Sequence, residues 1–441
     1  MRKGILVFIS TLFFIGVNGQ TTSIPDANFE QALINLGFDN GVIDGSVLTA
    51  NISIVSVLDV SSSNISSLTG IENFTALTNL SCHNNQLTSL DVSQNSALES
   101  LGCYNNQLTS LDVSQNASLT WLHCYNNQLT SLSLTQNTSL FWLFCYNNQL
   151  TSLDLTQNTS LNWLHCNDNQ LASLDVAQNV VLKSLYCSDN QLISLDVTQN
   201  IALQELGCGG NQLIGLDITQ NSVLTSLNCI NNQLMSLDLT QNSGLQSLTC
   251  FNNQLTGLDV TQNTSLTWLN CFTNQLASLD VSYNTDLIFL SCDSNQLTAL
   301  DVSQNIVLTS LYCGVNQLTK LDVSQNLVLT ELECGNNQLS CLNVKNGNNS
   351  NFSSFETLGN SNLSCLEVDD VSWSTANWIN IDAGISFDVS CFSSCSAVGI
   401  DESEFASNFS LYPNPAANNV IIEFEKEEQL MNLSVVNIHG Q

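Results

Sequence analysis

The sequence predicts a β-rich solenoid, built from 21-residue coils whose short strands stack into parallel β ladders. A short helical cap precedes the coils; a second cap and a partial β-sandwich follow them. Three observations predict this architecture. Cysteines recur every 21 residues, without an insertion, from Cys82 through Cys103 and Cys124 to Cys334. An asparagine stands three residues after each of them, from Asn85 and Asn106 to Asn337. Within each unit two short segments alternate apolar and polar residues, as in Leu122-His123-Cys124 and Leu132-Ser133-Leu134, which is the period of a strand with one face inside. A self-similar period of this length marks a stack of coils, because one unit cannot bury its apolar edge alone.

The elements follow in chain order. Arg2 and Lys3 precede an apolar run from Ile5 to Val17, with Gly19 after it, so residues 1–19 read as a secretory signal peptide. Residues 20–72 form the N-terminal cap and irregular first coils. There Asp26 is placed to N-cap a helix that carries Phe29, Leu33 and Leu36 on one side and stops at Gly37. Residues 73–345 are the repeat array, of the form L-x-x-L-x-C-x-x-N-Q-L-T-S-L-D-V-S-Q-N-x-x, with the Asn after each segment marking a bend whose backbone groups a short polar side chain can satisfy. Stacking is expected to give a continuous core and two parallel ladders, about 60 Å long for thirteen coils at ~4.8 Å each. Residues 346–400 form a C-terminal cap. Residues 401–441 are a linker and the start of a further β-domain.

Charge bounds the partners. Six Lys and Arg face 38 Asp and Glu, a net charge of −32, which repels phosphate backbones and anionic lipid and so argues against nucleic acid. No stretch after the leader is apolar enough to span a membrane, which argues against an integral segment.

The repeat resembles the leucine-rich-repeat family, in the short-repeat bacterial form with Cys in the third apolar slot. The match runs from about Leu77 to Val344, and a looser copy at Leu58-Asp59-Val60 precedes it. The resemblance implies that the L-x-x-L-x-C-x-x-N segments line a concave face and that this face meets the partner. Leu411-Tyr412-Pro413-Asn414-Pro415, with the apolar runs from Val420 and Leu433, resembles the opening of the type IX secretion sorting domain of Bacteroidota. That resemblance implies export by the type IX machinery to the medium or the outer cell surface. The family's domain continues for several more strands, so the sequence reads as truncated at Gln441.

Four constellations carry possible chemistry. The thirteen ladder thiols form a straight column, which neither closes a tetrahedral zinc site nor brings Cβ atoms to disulfide distance, so they read as buried, reduced small hydrophobes. Cys341, Cys365, Cys391 and Cys395 lie outside the column, and an even count in an oxidising destination reads as two disulfides of open connectivity. Asp154, Asp175, Asp196, Asp217 and Asp238 begin an outward column that reaches Asp322, with Asp91 and Asp112 before it. Such a column is either solvated and screened or relieved by calcium, the one cofactor the sequence suggests. Outward slots of neighbouring coils hold Tyr104; Trp121, His123 and Tyr125; Trp142, Phe144 and Tyr146; and Trp163 and His165. Trp268, Phe272, Phe251 and Phe289 form a looser second group. Aromatics pair well across a ladder, yet a contiguous exposed apolar patch of this size is unusual without a partner.

No H-E-x-x-H, G-x-S-x-G or phosphate-loop pattern occurs, and His123 and His165 stand two coils apart without a third metal partner. The expectation is therefore a binding protein and not an enzyme: a secreted or cell-surface recognition module that holds a protein or glycan on its concave face. The alternative is a structural spacer or adhesin stalk with no ligand site.

Overall fold

The computed structural model describes residues 19–391, Cys395, and the backbone of Phe409–Tyr412 and Ile421–Phe424. The leader reading and most of the sorting region lie outside these residues. Each 21-residue unit forms one coil, and its three-residue strand pairs in parallel, in register, with the strands of the coils on either side. Trp121–His123 pairs with Trp142–Phe144, so that Leu122 faces Leu143 and His123 faces Phe144. Fifteen such strands make one continuous sheet from Val57–Asp59 to Ser354–Glu356.

The core follows from the pattern. In the coil of Cys124, Leu119, Leu122, Cys124, Leu129, Leu132 and Leu134 are buried, and each later coil repeats the set. Each buried leucine contributes roughly 1.5–3 kcal/mol of transfer free energy. Polar side chains then satisfy the backbone that a 21-residue coil must bend. The residue two after each cysteine adopts left-handed backbone, as at Asn126 (φ 53°), which explains the Asn, Asp, Gly and Ser found there. The next residue, Asn127, is a two-sided bracket. Its Oδ1 accepts from Leu108 N–H at 2.9 Å. Its Nδ2 donates to the carbonyls of Cys103 and Cys124, both at 3.1 Å, joining the preceding coil to its own. A second asparagine column, on the opposite flank, is fully buried: Asn137 Nδ2 donates to Val113 O at 3.0 Å and to Asn116 O at 2.9 Å.

That second column changes one expectation. The Leu-Asp-Val segments were expected to hydrogen-bond as a second ladder, but along most of the array they do not. Asp91 and Asp112 make one isolated bridge, and a second sheet forms only at the C-terminal end, from Lys320–Asp322 through Cys341–Asn343 and Cys365–Glu367 to Ser386–Asp388. Along the array, the valine or leucine carbonyl accepts from the next coil's asparagine amide, and the outward Asp carboxylates accept from their own turns.

The caps close both ends. Helix α1 (Ala27–Asn35) is N-capped by Asp26, whose Oδ1 accepts from Asn28 and Phe29 N–H. The other oxygen accepts from Ser66 N–H at 2.7 Å and Ser67 N–H at 2.9 Å, which ties the helix to the first coils. Phe29 and Leu33 are buried, with Phe29 against Phe74 at 6.3 Å. Leu36 departs from the expected apolar side: it is the C-cap residue, its N–H still bonded to Ala32 O, and it is 45% exposed. At the far end Trp378 stacks on Phe355 at 3.8 Å, and disulfides join Cys341 to Cys395 and Cys365 to Cys391. Among the described residues no helix is long and apolar enough to cross a membrane.

Candidate ligand-binding face

The outward residues of the long sheet form columns, because in-register parallel pairing stacks equivalent positions one coil apart. Three aromatic columns result. His83, Tyr104, Tyr125 and Tyr146 lie with ring centroids 4.2, 4.3 and 4.3 Å apart and planes within 12°. His123, Phe144 and His165 stack at 4.5 and 4.3 Å, and Tyr186 ends that column edge-on to His165 at 4.7 Å. Trp121, Trp142 and Trp163 make the third, tilted by 52° at the first step and stacked within 9° at the second, with Phe141 against the edge of Trp142 at 4.2 Å. The nine residues singled out from the sequence therefore come together on one surface. His83, Phe141 and Tyr186 join them; their registers, one coil before Tyr104, one residue before Trp142 and one coil after His165, are the signals that point to them.

Rings stacked along the coil axis turn their faces to one another and their edges outward, so the face is a set of ridges, with Trp121, tilted by 52° to Trp142, the exception. All these rings except Trp121 are half-buried; Trp121, with Ser100 as its neighbour in the preceding coil, is 41% exposed. Solvent meets ring edges and tyrosine hydroxyls. Burial holds the His123 imidazole below its ordinary range, with His165 adding to the effect. Burial lowers His165 too, against an opposing pull from Glu205. Phe144 separates the two, so they share no ligand.

The face changes character along the array. At its middle, Ser184 Oγ donates to Glu205 Oε2 at 3.1 Å and Tyr186 OH donates to the same oxygen at 3.3 Å, while the Lys183 ammonium lies 6.0 Å from the Trp163 ring centre. Further on, Trp268 and Phe289 stack at 3.7 Å, Phe251 and Phe272 at 4.3 Å, and the carboxylates of Asp293, Glu331, Glu333 and Glu356 follow. Burial raises Asp293 above the usual carboxylate range. Glu333 is raised by burial and by Glu356, Asp293 and Glu331.

The outward Asp column lies on another flank. Asp154 Oδ1 accepts from Thr156 N–H at 3.0 Å and Oγ1–H at 2.7 Å, and Asp196, Asp217 and Asp238 make the same pair of bonds two residues on. Asp175 accepts from Ala177 N–H alone. The Thr hydroxyl and amide hold Asp196, Asp217 and Asp238 below the ordinary carboxylate range. Each carboxylate thus serves its own turn, and among the described residues no three acidic, His or Cys side chains converge as a metal site. The thirteen ladder cysteines are unpaired and fully buried, and burial pushes the Cys103 thiol up to about 12.

Comparison with known proteins places this geometry. Residues 410–441 match the family described as the secretion system C-terminal sorting domain. Among curated proteins none matches the chain. Among solved structures, the functional domain of InlJ from Listeria monocytogenes, which includes a cysteine ladder, is 36% identical with a TM-score of 0.68, over 77% of this chain and 82% of that one. A leucine-rich-repeat protein of Leptospira interrogans is 25% identical with a TM-score of 0.60, over 77% of this chain and 97% of that one. An internalin, inlF, from Listeria monocytogenes shares the fold at 23% identity and a TM-score of 0.57, over 78% of this chain and 95% of that one. The protein belongs to the leucine-rich-repeat family, in the form whose coils share a cysteine ladder, and its type IX sorting region makes it a secreted or cell-surface member.

Proposed function

We propose that the protein is a recognition module that holds a protein partner on the outer face of its long sheet. The carrying observation is the triple aromatic column of coils 83 to 186, a contiguous apolar surface with tyrosine hydroxyls along one side. Trp and Tyr supply large contact area for little lost rotamer entropy, and here stacking has already fixed their rotamers, so little ordering remains to oppose binding. Ridges of ring edges suit the side chains of a polypeptide, which fit between columns. A sugar, by contrast, binds aromatic groups mainly across a ring face, and here faces are covered by neighbouring rings. Binding rather than catalysis is the reading because, although Ser184 Oγ lies 3.5 Å from His165 Nε2, that hydroxyl donates to Glu205, so the carboxylate holds the hydroxyl and does not orient the imidazole.

The second reading is a spacer whose length matters and whose faces are inert, and replacing Trp142 and Tyr146 together by Ser separates the two. Trp142 contacts Trp121 and Trp163, and Tyr146 stacks on Tyr125, so the change is expected to cost about 1–3 kcal/mol of stability from lost stacking and burial. It is also expected to abolish binding of the fluorescently labelled chain to the surface proteins of the cells it contacts. A folded double variant that binds as well as the native chain would overturn the recognition reading and leave the spacer.

A further inference from the structure

We infer that the partner is a basic polypeptide, lying along the sheet with apolar side chains among the aromatic columns and Lys or Arg side chains over the acidic coils that follow. The inference rests on the reading of this face as the binding face, and charge complementarity carries it further. On the outward side of the long sheet Asp59, Glu205, Glu331, Glu333 and Glu356 lie on strands, Glu99 stands just before one, and Asp293 stands two residues past Phe289–Ser291. Among the described residues Lys183 is the one Lys or Arg on that face, and it sits beside Trp163.

The acids are graded along the array. The coils of the main aromatic columns, from Trp121 to His165, carry none on their strands, and the last coils carry most. Aromatic rings and carboxylates meet where the two regions join: Phe289 lies 5.5 Å from Tyr312, whose hydroxyl donates to Glu331 Oε2, and Asp293 stands one coil before Tyr312's neighbour Gly314, from whose N–H it accepts at 2.8 Å. A ring beside a carboxylate is the setting in which an ammonium or guanidinium gains both cation–π and ionic contact.

The spread of the acids decides which cation fits. Glu356, Asp293 and Glu331 add to the burial that raises Glu333, yet among the described residues these acids do not gather as ligands around a point, so a single metal ion cannot satisfy them. A chain with several cations at the coil spacing can. From the coil of Phe144 to that of Glu333 is nine steps, about 43 Å at ~4.8 Å per coil. An extended peptide covers that distance with roughly 13 residues at ~3.4 Å each. The partner segment thus has apolar residues toward one end and basic residues toward the other.

The test is fluorescence anisotropy on the full chain with three labelled 14-residue peptides, each of two halves: a Trp-containing half joined to a Lys-rich half, a Ser half joined to the same Lys-rich half, and the Trp-containing half joined to a Glu-rich half. The Trp–Lys peptide is expected to bind best, the Trp–Glu peptide not at all, and affinity is expected to fall with added NaCl. The variant D293N/E331Q/E333Q/E356Q is expected to weaken the Trp–Lys peptide by about tenfold or more. The charge-matched variant D196N/D217N/D238N/D259N, altered on the other flank, is expected to change it by less than about twofold, since those carboxylates make no direct contact with a peptide on the sheet face and solvent screens them. Equal losses in the two variants, or binding of the Trp–Glu peptide, would overturn the inference by showing that bulk charge or apolar contact alone is at work. If the acidic-face variant keeps its cell-surface binding while the Trp142 and Tyr146 substitutions abolish it, the basic-partner inference falls and the recognition reading stands. If the aromatic substitutions leave that binding intact, the recognition reading falls with it.

Discussion

Asn232 sits at the middle of the first asparagine column, and replacing it by Ala isolates what that column contributes. Its Oδ1 accepts from Leu213 N–H at 3.0 Å, and its Nδ2 donates to Cys208 O, Cys229 O and Ile230 O at 3.1, 3.2 and 3.1 Å. The two cysteine carbonyls keep a second donor each, Asn211 on Cys208 and Asn253 on Cys229, so the substitution orphans only Leu213 N–H. A buried unpaired N–H costs about 1–3 kcal/mol, and the lost donated bonds add roughly 0.5–1.5 kcal/mol each. With three donated bonds lost, the sum is about 2.5–7.5 kcal/mol. Asn232→Asp keeps the acceptor for Leu213 but aims a buried carboxylate at carbonyl oxygens, so its folded-state pKa is raised. A raised acid pKa leaves stability intact below the unfolded value near 4 and removes it as pH rises, so this variant is expected to be weaker at pH 7 than at pH 4. Urea unfolding followed by circular dichroism gives the loss, and amide exchange at Leu213 and in the adjoining coils locates it, because each coil couples only to its neighbours. A loss below about 1 kcal/mol with Leu213 still protected would refute the bracket role.

Three other outcomes follow from the same geometry. Val315 is a β-branched residue held at φ 51°, where most coils carry Asn, Asp, Gly or Ser, so Val315→Asn is expected to stabilise the chain by about 1 kcal/mol, measured as a higher urea midpoint; an unchanged or lower midpoint counts against strain at that turn. The ladder thiols are expected to stay unlabelled by a thiol reagent at pH 8 in the native chain and to react on denaturation, since burial raises them far from the thiolate range; rapid native labelling would contradict the buried column. Because the outward aspartates already accept two bonds from their own turns, millimolar calcium is expected to raise the melting temperature no more than sodium at equal ionic strength. A much larger calcium shift would make the Asp column a cation site after all.

The period, the core and the identity of the outward residues were legible in the sequence, because a 21-residue repeat with Leu and Cys at fixed slots leaves no freedom in which residues face inward. Leu36 was misplaced because helical spacing gives the side on which a residue lies and not whether anything packs against it at the helix end. The missing second ladder was hidden for a different reason. Segments in the same register can stack without their N–H and C=O groups meeting, as Leu-Asp-Val does along most of the array, and a period cannot tell that. The same limit applies to the candidate face. Trp142 and Tyr146 could be assigned to the outside, but edge-on stacking is fixed by side-chain torsions and by contact with the coils on either side. The acidic half of the face went unread because Asp293, Glu331, Glu333 and Glu356 break the repeat singly, and only in-register pairing brings them to one end of one sheet.

The most direct test is hydroxyl-radical footprinting of the full chain, alone and with the surface proteins it binds. Trp121, Trp142 and Tyr146 report on the sheet face, while Met235 and Tyr283, 61% and 59% exposed in the loops outside that sheet, report on the rest of the surface. Binding on the sheet face predicts that oxidation of Trp121, Trp142 and Tyr146 falls severalfold in the complex and that Met235 and Tyr283 are unchanged. Protection of Met235 or Tyr283 with the three aromatic residues still oxidised would contradict it.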